Sequence, residues 1–104
     1  MLYLLNSPIL TAYGQWQFRP LSELEAQQLA TQGFTSAIGH AASAQLLSQR
    51  LQQPVPTQRI SIQMEPKDQA IILRLTTRLP EGKVLTHEEL AALPCELGLL
   101  ERVG

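Results

Sequence analysis

Apolar and polar residues alternate along this chain with the periods of strands and helices, and the pattern predicts five strands and three helices. Met1–Leu5 is continuously apolar, which is typical of a central strand covered on both faces. The other segments show a period of two, as expected for strands with one buried face. The predicted strands are residues 1–5, 12–18, 59–64, 70–76 and 96–101, and Trp16 and Phe18 share one face of the second.

The predicted helices are marked by capping signals. Ser22 with Glu25, and Thr86 with Glu89, match the capping box, in which an N-cap hydroxyl and an acidic side chain three residues later satisfy free backbone N–H groups. A third helix lies between them and is closed by two prolines. The predicted helices are residues 22–31, which Gly33 ends, 39–52, which Pro54 and Pro56 end, and 86–93.

Two of the strands, 59–64 and 70–76, are joined by Glu65-Pro66-Lys67-Asp68, and this spacing predicts a β-hairpin. One hairpin face would then pack on the helices through Ile60, Ile62, Met64, Ile71, Leu73 and Leu75. The opposite face would carry Arg59, Ser61, Gln63, Ile72, Arg74 and Thr76. Arginines among hydroxyl and amide groups suit recognition of a planar or anionic ligand. An ordinary solvated sheet face is the alternative, and it is common in antiparallel sheets.

Together these elements predict a single domain, residues 1–104, of the α+β class: one mixed, mostly antiparallel sheet of about five strands with about three helices. The chain is 44% hydrophobic and 16% charged, and such sparse charge favours an oligomer. No apolar run reaches the length of a membrane span, so a cytoplasmic protein is expected. Cys95 is the single cysteine and there are two histidines, which excludes an intrachain disulfide and a four-ligand zinc site; no metal or cofactor is expected.

Positive charge is concentrated in one third of a chain whose net charge is -1. Residues 50–83 hold six basic residues and three acidic ones, and the acidic residues dominate elsewhere. A local cationic region on a nearly neutral protein fits a small anionic ligand better than a long duplex, because duplex affinity scales with the number of phosphates neutralised. No recognition-helix pattern is present, which disfavours a DNA-binding module.

The stretch Ser36-Ala37-Ile38-Gly39-His40 precedes the second helix and is the strongest candidate for chemistry. A helix N-terminus attracts anions, Gly39 permits close backbone approach, Ser36 or Ser43 can supply a hydroxyl, and an imidazole can transfer a proton near neutral pH. His40 also stands at helical spacing with Ala44, Leu47 and Leu51, so a core histidine that ends an apolar stripe is the alternative. Local pattern alone favours the core histidine.

Four stretches together carry a resemblance to a known family. They are Met1-Leu2-Tyr3-Leu4-Leu5-Asn6-Ser7, Ser36-Ala37-Ile38-Gly39-His40, Arg59-Ile60-Ser61-Ile62 and Arg78-Leu79-Pro80-Glu81-Gly82-Lys83-Val84-Leu85. In this order the chain resembles, over essentially its whole length, the viral ring nucleases, anti-CRISPR enzymes of archaeal viruses, phages and some bacterial genomes. The resemblance implies a homodimer that binds cyclic tetra-adenylate across its two-fold axis. It also implies metal-independent cleavage to linear di-adenylates, which silences the effector nucleases of type III CRISPR defence.

The resemblance also implies roles for individual residues. His40, Arg78 and Glu81 match the catalytic positions: His40 is expected to be the general acid, Arg78 to clamp the phosphoryl group, and Glu81 to orient Arg78 or the ribose. The expected ligand-binding residues are Asn6, Ser7, Gly39, Ser43, Arg59 and Arg74, of which Arg74 stands where other members carry a polar amide. A non-catalytic dimer that sequesters a cyclic nucleotide or regulates a partner is the alternative function.

Overall fold

Five strands form one mixed sheet in the computed structural model of this chain, which describes residues 1–76 and 86–104. The strands are β1 (Leu2–Leu5), β2 (Trp16–Leu21), β3 (Thr35–Ser36), β4 (Gln69–Leu75) and β5 (Cys95–Arg102), and the helices are α1 (Glu23–Ala30), α2 (Ala41–Leu51) and α3 (His87–Ala92). The sheet order is β2-β5-β4-β1-β3. β1 pairs in parallel with β3 and β4, whereas β5 pairs antiparallel with β4 and β2. The predicted α+β class is confirmed.

The capping signals place two of the helices as predicted. Ser22 Oγ accepts a hydrogen bond from the Glu25 backbone N–H (3.1 Å) at the start of α1. At the start of α3 the capping box is complete: Thr86 Oγ1 accepts from the Glu89 N–H (3.1 Å), and Glu89 Oε1 accepts from the Thr86 N–H (3.2 Å). Local sequence therefore fixes these helix starts, because each cap satisfies backbone donors that the helix itself cannot.

The sheet has two differently covered faces. Leu4, Ile71, Leu73 and Leu99 belong to a core cluster with the buried residues of the three helices. The other face carries a smaller cluster, made by Leu5, Met64, Ala70, Ile72 and Leu100. Segment 57–64, which has no regular secondary structure, covers this second face through Met64 and Ile62. Neighbouring residues of β1 thus reach opposite cores, which confirms that β1 is covered on both faces.

The predicted hairpin of residues 59–64 with β4 is wrong. Both edges of β4 are already occupied, one by β1 and the other by β5, so no position remains for another strand. A turn does form at residues 65–68, where the Asp68 N–H donates to the Glu65 carbonyl (3.0 Å), but it joins an irregular segment to β4. The predicted polar face is wrong as well, because Ile72 is fully buried and Ile60 is exposed.

The candidate segments after β1 and after β3 lie at the same end of the sheet. β1, β3 and β4 run in the same direction, so their carboxyl ends lie at one edge of the sheet, here called the site edge. Asn6 follows β1 at this edge, and Ala37 follows β3. Within residues 1–76 and 86–104, the helices are all too short or too polar to traverse a lipid bilayer.

Candidate functional site

The site edge brings together two of the predicted segments. The Ala37 backbone N–H donates to the Leu4 carbonyl (2.9 Å), which continues the β1–β3 pairing and places residues 37–40 beside the end of β1. Asn6 and Ser7, which come next after β1, are exposed. Polar side chains after parallel strands are a common way to build a ligand site, because the loops there converge at the edge of the sheet.

Arg59 is fixed on the backbone of Gly39. Its Nε donates to the Gly39 carbonyl (2.9 Å), and a Cβ atom built on Gly39 would lie only 2.8 Å from the Arg59 Cγ. Glycine is therefore needed at position 39 for the aliphatic part of the Arg59 side chain to approach the backbone this closely. The Arg59 side chain is exposed, so its Nη atoms can donate to an anion.

His40 is the N-cap residue of α2 and is half-buried. Its carbonyl accepts from the Ala44 N–H (3.0 Å), but its ring makes no capping hydrogen bond. The Nδ1 atom is buried and has no partner among the described residues. Within residues 1–76 and 86–104, the start of α2 therefore has backbone donors that no capping side chain uses, next to an imidazole whose Nδ1 has no partner. His40 thus ends the buried stripe of α2 with its Nδ1 buried, but it belongs to neither core cluster.

The two serines near this helix differ in their use. Ser36 Oγ donates to the Pro56 carbonyl (2.7 Å) and accepts from the Ile38 N–H (3.3 Å), so its hydroxyl fastens segment 52–58 to the end of β3. Ser36 is structural. Ser43 lies in the first turn of α2 and is also buried. Its expected contact with a ligand stays a prediction.

Arg74 is placed apart from Arg59. It lies on β4 opposite Glu96 of β5, with Nη1 at 3.8 Å from the carboxylate, and both side chains are largely exposed. It lines a cavity of about 550 Å³ with Phe18 and Gly98, toward the β2 side of the sheet. The predicted pairing of Arg59 and Arg74 on one sheet face is wrong, because residues 59–64 are not a strand. Arg78 and Glu81 lie outside the described residues.

The other histidine has a structural environment. His87 is the first residue of α3 and is exposed, and its backbone carbonyl accepts from Gln49 Nε2 (3.1 Å). The same Gln49 nitrogen lies 3.2 Å from the ring Nδ1. These contacts join α2 to α3.

The arrangement at the mouth of α2 combines an arginine, an imidazole and free backbone N–H groups. A guanidinium and a helix N-terminus both favour a bound phosphate. An imidazole beside that phosphate can donate or accept a proton. This set of groups suits binding and transfer chemistry on a phosphodiester, with Asn6 and Ser7 at the same edge to contact a sugar or a base.

Comparison with known proteins places the chain in a viral family. The model of the family described as STIV B116-like matches residues 2–97. The chain belongs to the STIV B116-like family. A further similarity is to B116 of Sulfolobus turreted icosahedral virus, whose solved structure superposes with a TM-score of 0.80 at 20% sequence identity and covers 97% of this chain and 98% of B116. That likeness shows the shared fold.

Other relatives of this STIV B116-like chain also come from archaeal viruses. The protein ORF117 of Acidianus two-tailed virus is 38% identical over 110 residues, which span 99% of this chain and 94% of the relative. Protein 26 of Sulfolobus islandicus filamentous virus is 36% identical over 109 residues, spanning 99% of this chain and 92% of the relative. The chain therefore matches these viral proteins over nearly their whole lengths.

In this STIV B116-like structure, the contact of Arg59 with Gly39 is the feature that sequence reasoning missed. The alternation of residues 59–64 predicted that Arg59 lies on a sheet face. Arg59 instead follows an irregular segment that is held by a hydrogen bond from the Gln58 N–H to the Ile38 carbonyl (2.8 Å). Pro54 and Pro56 carried a partial signal, since prolines favour extended chain without ladder pairing. They do not indicate where such a segment packs.

Proposed function

We propose that this chain is a ring nuclease that opens cyclic tetra-adenylate into linear di-adenylates and so switches off the effector nucleases of type III CRISPR defence. The observation that supports it best is the joint placement of Arg59 and His40 at the mouth of α2, through the 2.9 Å bond from Arg59 Nε to the Gly39 carbonyl. Membership of a family found in archaeal viruses is consistent with a role against host defence.

The proposed reaction needs no metal ion. The ribose 2′-oxygen attacks the adjacent phosphorus, the bond from phosphorus to the 5′-oxygen breaks, and a 2′,3′-cyclic phosphate forms. The 2′-hydroxyl proton leaves to solvent, and the departing 5′-oxygen takes a proton from His40, which is then reprotonated from solvent. Proton transfer by a positioned imidazole contributes on the order of a hundred- to ten-thousand-fold. Alignment of the attacking oxygen supplies several kcal/mol more.

The remaining residues of the site have supporting roles in this proposal. Arg59 and the free N–H groups of α2 neutralise the phosphoryl oxygens, where each positioned donor is worth roughly 3 kcal/mol. Asn6 and Ser7 contact the ribose or adenine. Arg78 as phosphoryl clamp and Glu81 as its orienting partner remain assignments from the family resemblance. The enzyme acts as a homodimer, in which each group occurs twice around a ring of four nucleotides.

A binding protein without catalysis is the second candidate. The same guanidinium and helix mouth would hold an anionic ring, and a protein that sequesters the messenger needs nothing more. The two functions differ in the requirement for His40. A sequestering protein uses the His40 imidazole only as a contact to the ligand, whereas the nuclease needs the proton that His40 donates.

The test is incubation of the protein with cyclic tetra-adenylate in EDTA, with the products separated by chromatography. We expect the wild type to yield linear di-adenylates, and His40→Ala to lose at least ~100-fold of the turnover while it still binds the ring. His87→Ala is the matched control, because His87 is the other histidine and lies at the far end of α2. Its turnover should stay within about two-fold of wild type.

Four outcomes would count against this proposal. Binding without any product supports sequestration instead. Full activity of His40→Ala removes the acid from the mechanism, and equal losses in the His40 and His87 variants would point to a general effect of removing an imidazole. Loss of cleavage by the wild type in EDTA, restored by a divalent cation, would contradict the metal-independent reaction.

A further inference from the structure

Three hydrogen bonds, here called the clasp, hold segment 36–39 and segment 56–59 side by side. Each bond joins residues that are 20 positions apart, so the two segments lie in a constant register. The three bonds run from Ser36 Oγ to the Pro56 carbonyl (2.7 Å), from the Gln58 N–H to the Ile38 carbonyl (2.8 Å) and from Arg59 Nε to the Gly39 carbonyl (2.9 Å). Because His40 follows directly after one of these segments, the clasp determines how Arg59 and His40 lie relative to each other.

Ser36 holds the buried end of the clasp. Its hydroxyl donates to the Pro56 carbonyl of one segment and accepts from the Ile38 N–H (3.3 Å) of the other. Ser36 is only 3% exposed and Ile38 is fully buried, so water is not available to replace the hydroxyl as an acceptor. Removal of the hydroxyl would therefore leave a buried N–H without a partner, and local movement of the chain relieves that cost.

The backbone that would move carries both chemical groups of the candidate site. Ile38 is two residues before His40, and Pro56 is three residues before Arg59. The His40 ring makes no capping hydrogen bond, and its Nδ1 has no partner in the part of the chain that the structure describes. The backbone therefore determines where the imidazole lies, and a shift of residues 37–40 would move it.

We propose that Ser36 is a positioning residue for the reaction: through the clasp it sets the distance between the Arg59 guanidinium and the His40 imidazole. The proposal rests on the proposed function, in which Arg59 holds the phosphoryl oxygens and His40 protonates the departing 5′-oxygen. Ser36 itself touches no ligand, because its hydroxyl is buried and bonded to the chain on both sides.

This role affects turnover more than binding. Without the Ser36 hydroxyl, Arg59 keeps its own bond to the Gly39 carbonyl and still attracts the phosphate. The proton donor and the bound phosphate would no longer be aligned, and a displacement of about 1 Å costs on the order of 100-fold in rate. A hydroxyl that contacted the ligand directly would show the opposite pattern, with weaker binding.

The first test measures kcat and KM for cyclic tetra-adenylate in Ser36→Ala, at a temperature where circular dichroism shows that the variant is folded. We expect kcat to fall at least ~10-fold and KM to change by less than about 3-fold. Ser36→Thr keeps a hydroxyl and should recover most of the turnover. If Ser36→Ala does not fold, Ser36→Cys takes its place, since a thiol fills a similar volume but is a weak hydrogen-bond donor.

Ser48→Ala is the matched control. Ser48 Oγ accepts from the Val55 N–H (2.9 Å) and donates to the Ala44 carbonyl (2.7 Å), so this hydroxyl also makes two bonds and also fastens segment 52–58. Neither of its partners belongs to the clasp, and its kcat should stay within about two-fold of wild type. Wild-type kcat in the Ser36 variant overturns the inference, as does an equal loss of kcat in Ser48→Ala.

A double variant tests whether Ser36 acts through the arginine. In an Arg59→Ala background, Ser36→Ala should change kcat by less than about 3-fold, because the group that it positions is gone. A purely structural role would give the same factor in both backgrounds, and that result would also overturn the inference.

Amide hydrogen exchange separates this inference from the proposed function. The Gln58 N–H should exchange at least ~10-fold faster in Ser36→Ala than in the wild type, and at the wild-type rate in Ser48→Ala. If the wild type cleaves no cyclic tetra-adenylate but exchange rises as expected, the nuclease fails, and with it the effect on turnover, whereas the clasp stands. If the wild type cleaves the ring and neither kcat nor exchange changes in Ser36→Ala, the nuclease stands and the role of Ser36 is wrong.

Discussion

The two ends of α2 use the same kinds of residue for different purposes. At the carboxyl end, Arg50 donates to the Glu23 carboxylate (3.1 Å) and to the carbonyls of Leu90 (3.3 Å) and Leu93 (3.0 Å). Gln49 at this end engages His87. Both terminal nitrogens of the arginine therefore have partners in α1 or at α3, and this end of α2 ties the three helices together.

At the amino end the equivalent groups are largely unused. Arg59 makes one hydrogen bond through Nε, and the ring of His40 has an unpartnered buried Nδ1 among the described residues. Side chains that satisfy each other hold a fold together, whereas fixed side chains with free donors are available to a ligand. By this comparison Arg50 has a structural role, and Arg59 is the arginine that we propose for ligand binding.

Exchange of the two arginines for alanine is the strongest test of this comparison. Arg50→Ala removes charge-assisted bonds between three helices, so we expect the free energy of unfolding to fall by about 2–4 kcal/mol. Arg59→Ala should change it by less than about 1 kcal/mol, because one exposed hydrogen bond is lost. Urea unfolding measures both. Comparable losses in the two variants would show that the two ends do not differ as described.

The two buried serines near the mouth of α2 give a second contrast. Ser36→Ala removes a donor to the Pro56 carbonyl and an acceptor for the Ile38 N–H, and should cost about 1–3 kcal/mol of stability. Ser43→Ala should cost less and should instead weaken binding of cyclic tetra-adenylate. Thermal unfolding and a binding titration on the same samples test the pair. A larger stability loss for Ser43→Ala would reverse the assignment.

The seat of Arg59 can be tested at Gly39. Gly39→Ala places a methyl group at 2.8 Å from the Arg59 Cγ and displaces the guanidinium, so ring binding should weaken about 10-fold, or ~1.4 kcal/mol. In an Arg59→Ala background the same substitution should have little further effect, since the group that it displaces is gone. Equal effects of Gly39→Ala in both backgrounds would mean that Gly39 contacts the ligand directly.

The smallest expected effect concerns Cys95, which lies near Arg50 at the structural end. Burial raises the pKa of the Cys95 thiol, and the nearby Arg50 guanidinium only partly opposes this. The folded protein therefore disfavours the thiolate, and its contribution to stability is present below the pKa of an unfolded cysteine and is lost as pH rises through the raised value. A thiol reagent near pH 8 should modify native Cys95 more slowly than unfolded protein.

The Cys95→Ala variant tests how much of the stability loss at high pH comes from the Cys95 thiol. Tyr3 also has a raised pKa, chiefly from burial and then from the charges of Asp68 and Glu65, so it adds to the loss of stability at high pH. Cys95→Ala should reduce the difference in melting temperature between neutral and alkaline solution without abolishing it. An unchanged difference would show that the thiol makes no contribution.

Local signals predicted the elements whose interactions are local. The caps at Ser22 and Thr86 use residues three positions apart, and the apolar run of β1 and the alternation of β5 are complete within each segment. Residues 59–64 have an equally regular alternation but form no strand. Residues 59–64 cannot pair with β4 because β1, which is far away in sequence, already occupies that edge of β4.

The sequence by itself therefore determined the three helices, the side-chain caps of α1 and α3, strands β1, β4 and β5, and the position of His40 at the start of α2. It placed β2 several residues too early and did not predict β3. Only the tertiary structure decided that Arg59 lies on Gly39, that Arg74 pairs with Glu96 elsewhere, and that the irregular segment 57–64 covers one sheet face. The physical reason is that caps and periodicity depend on backbone groups within a few residues. Competition for a strand edge and the packing of an irregular segment depend on the whole chain.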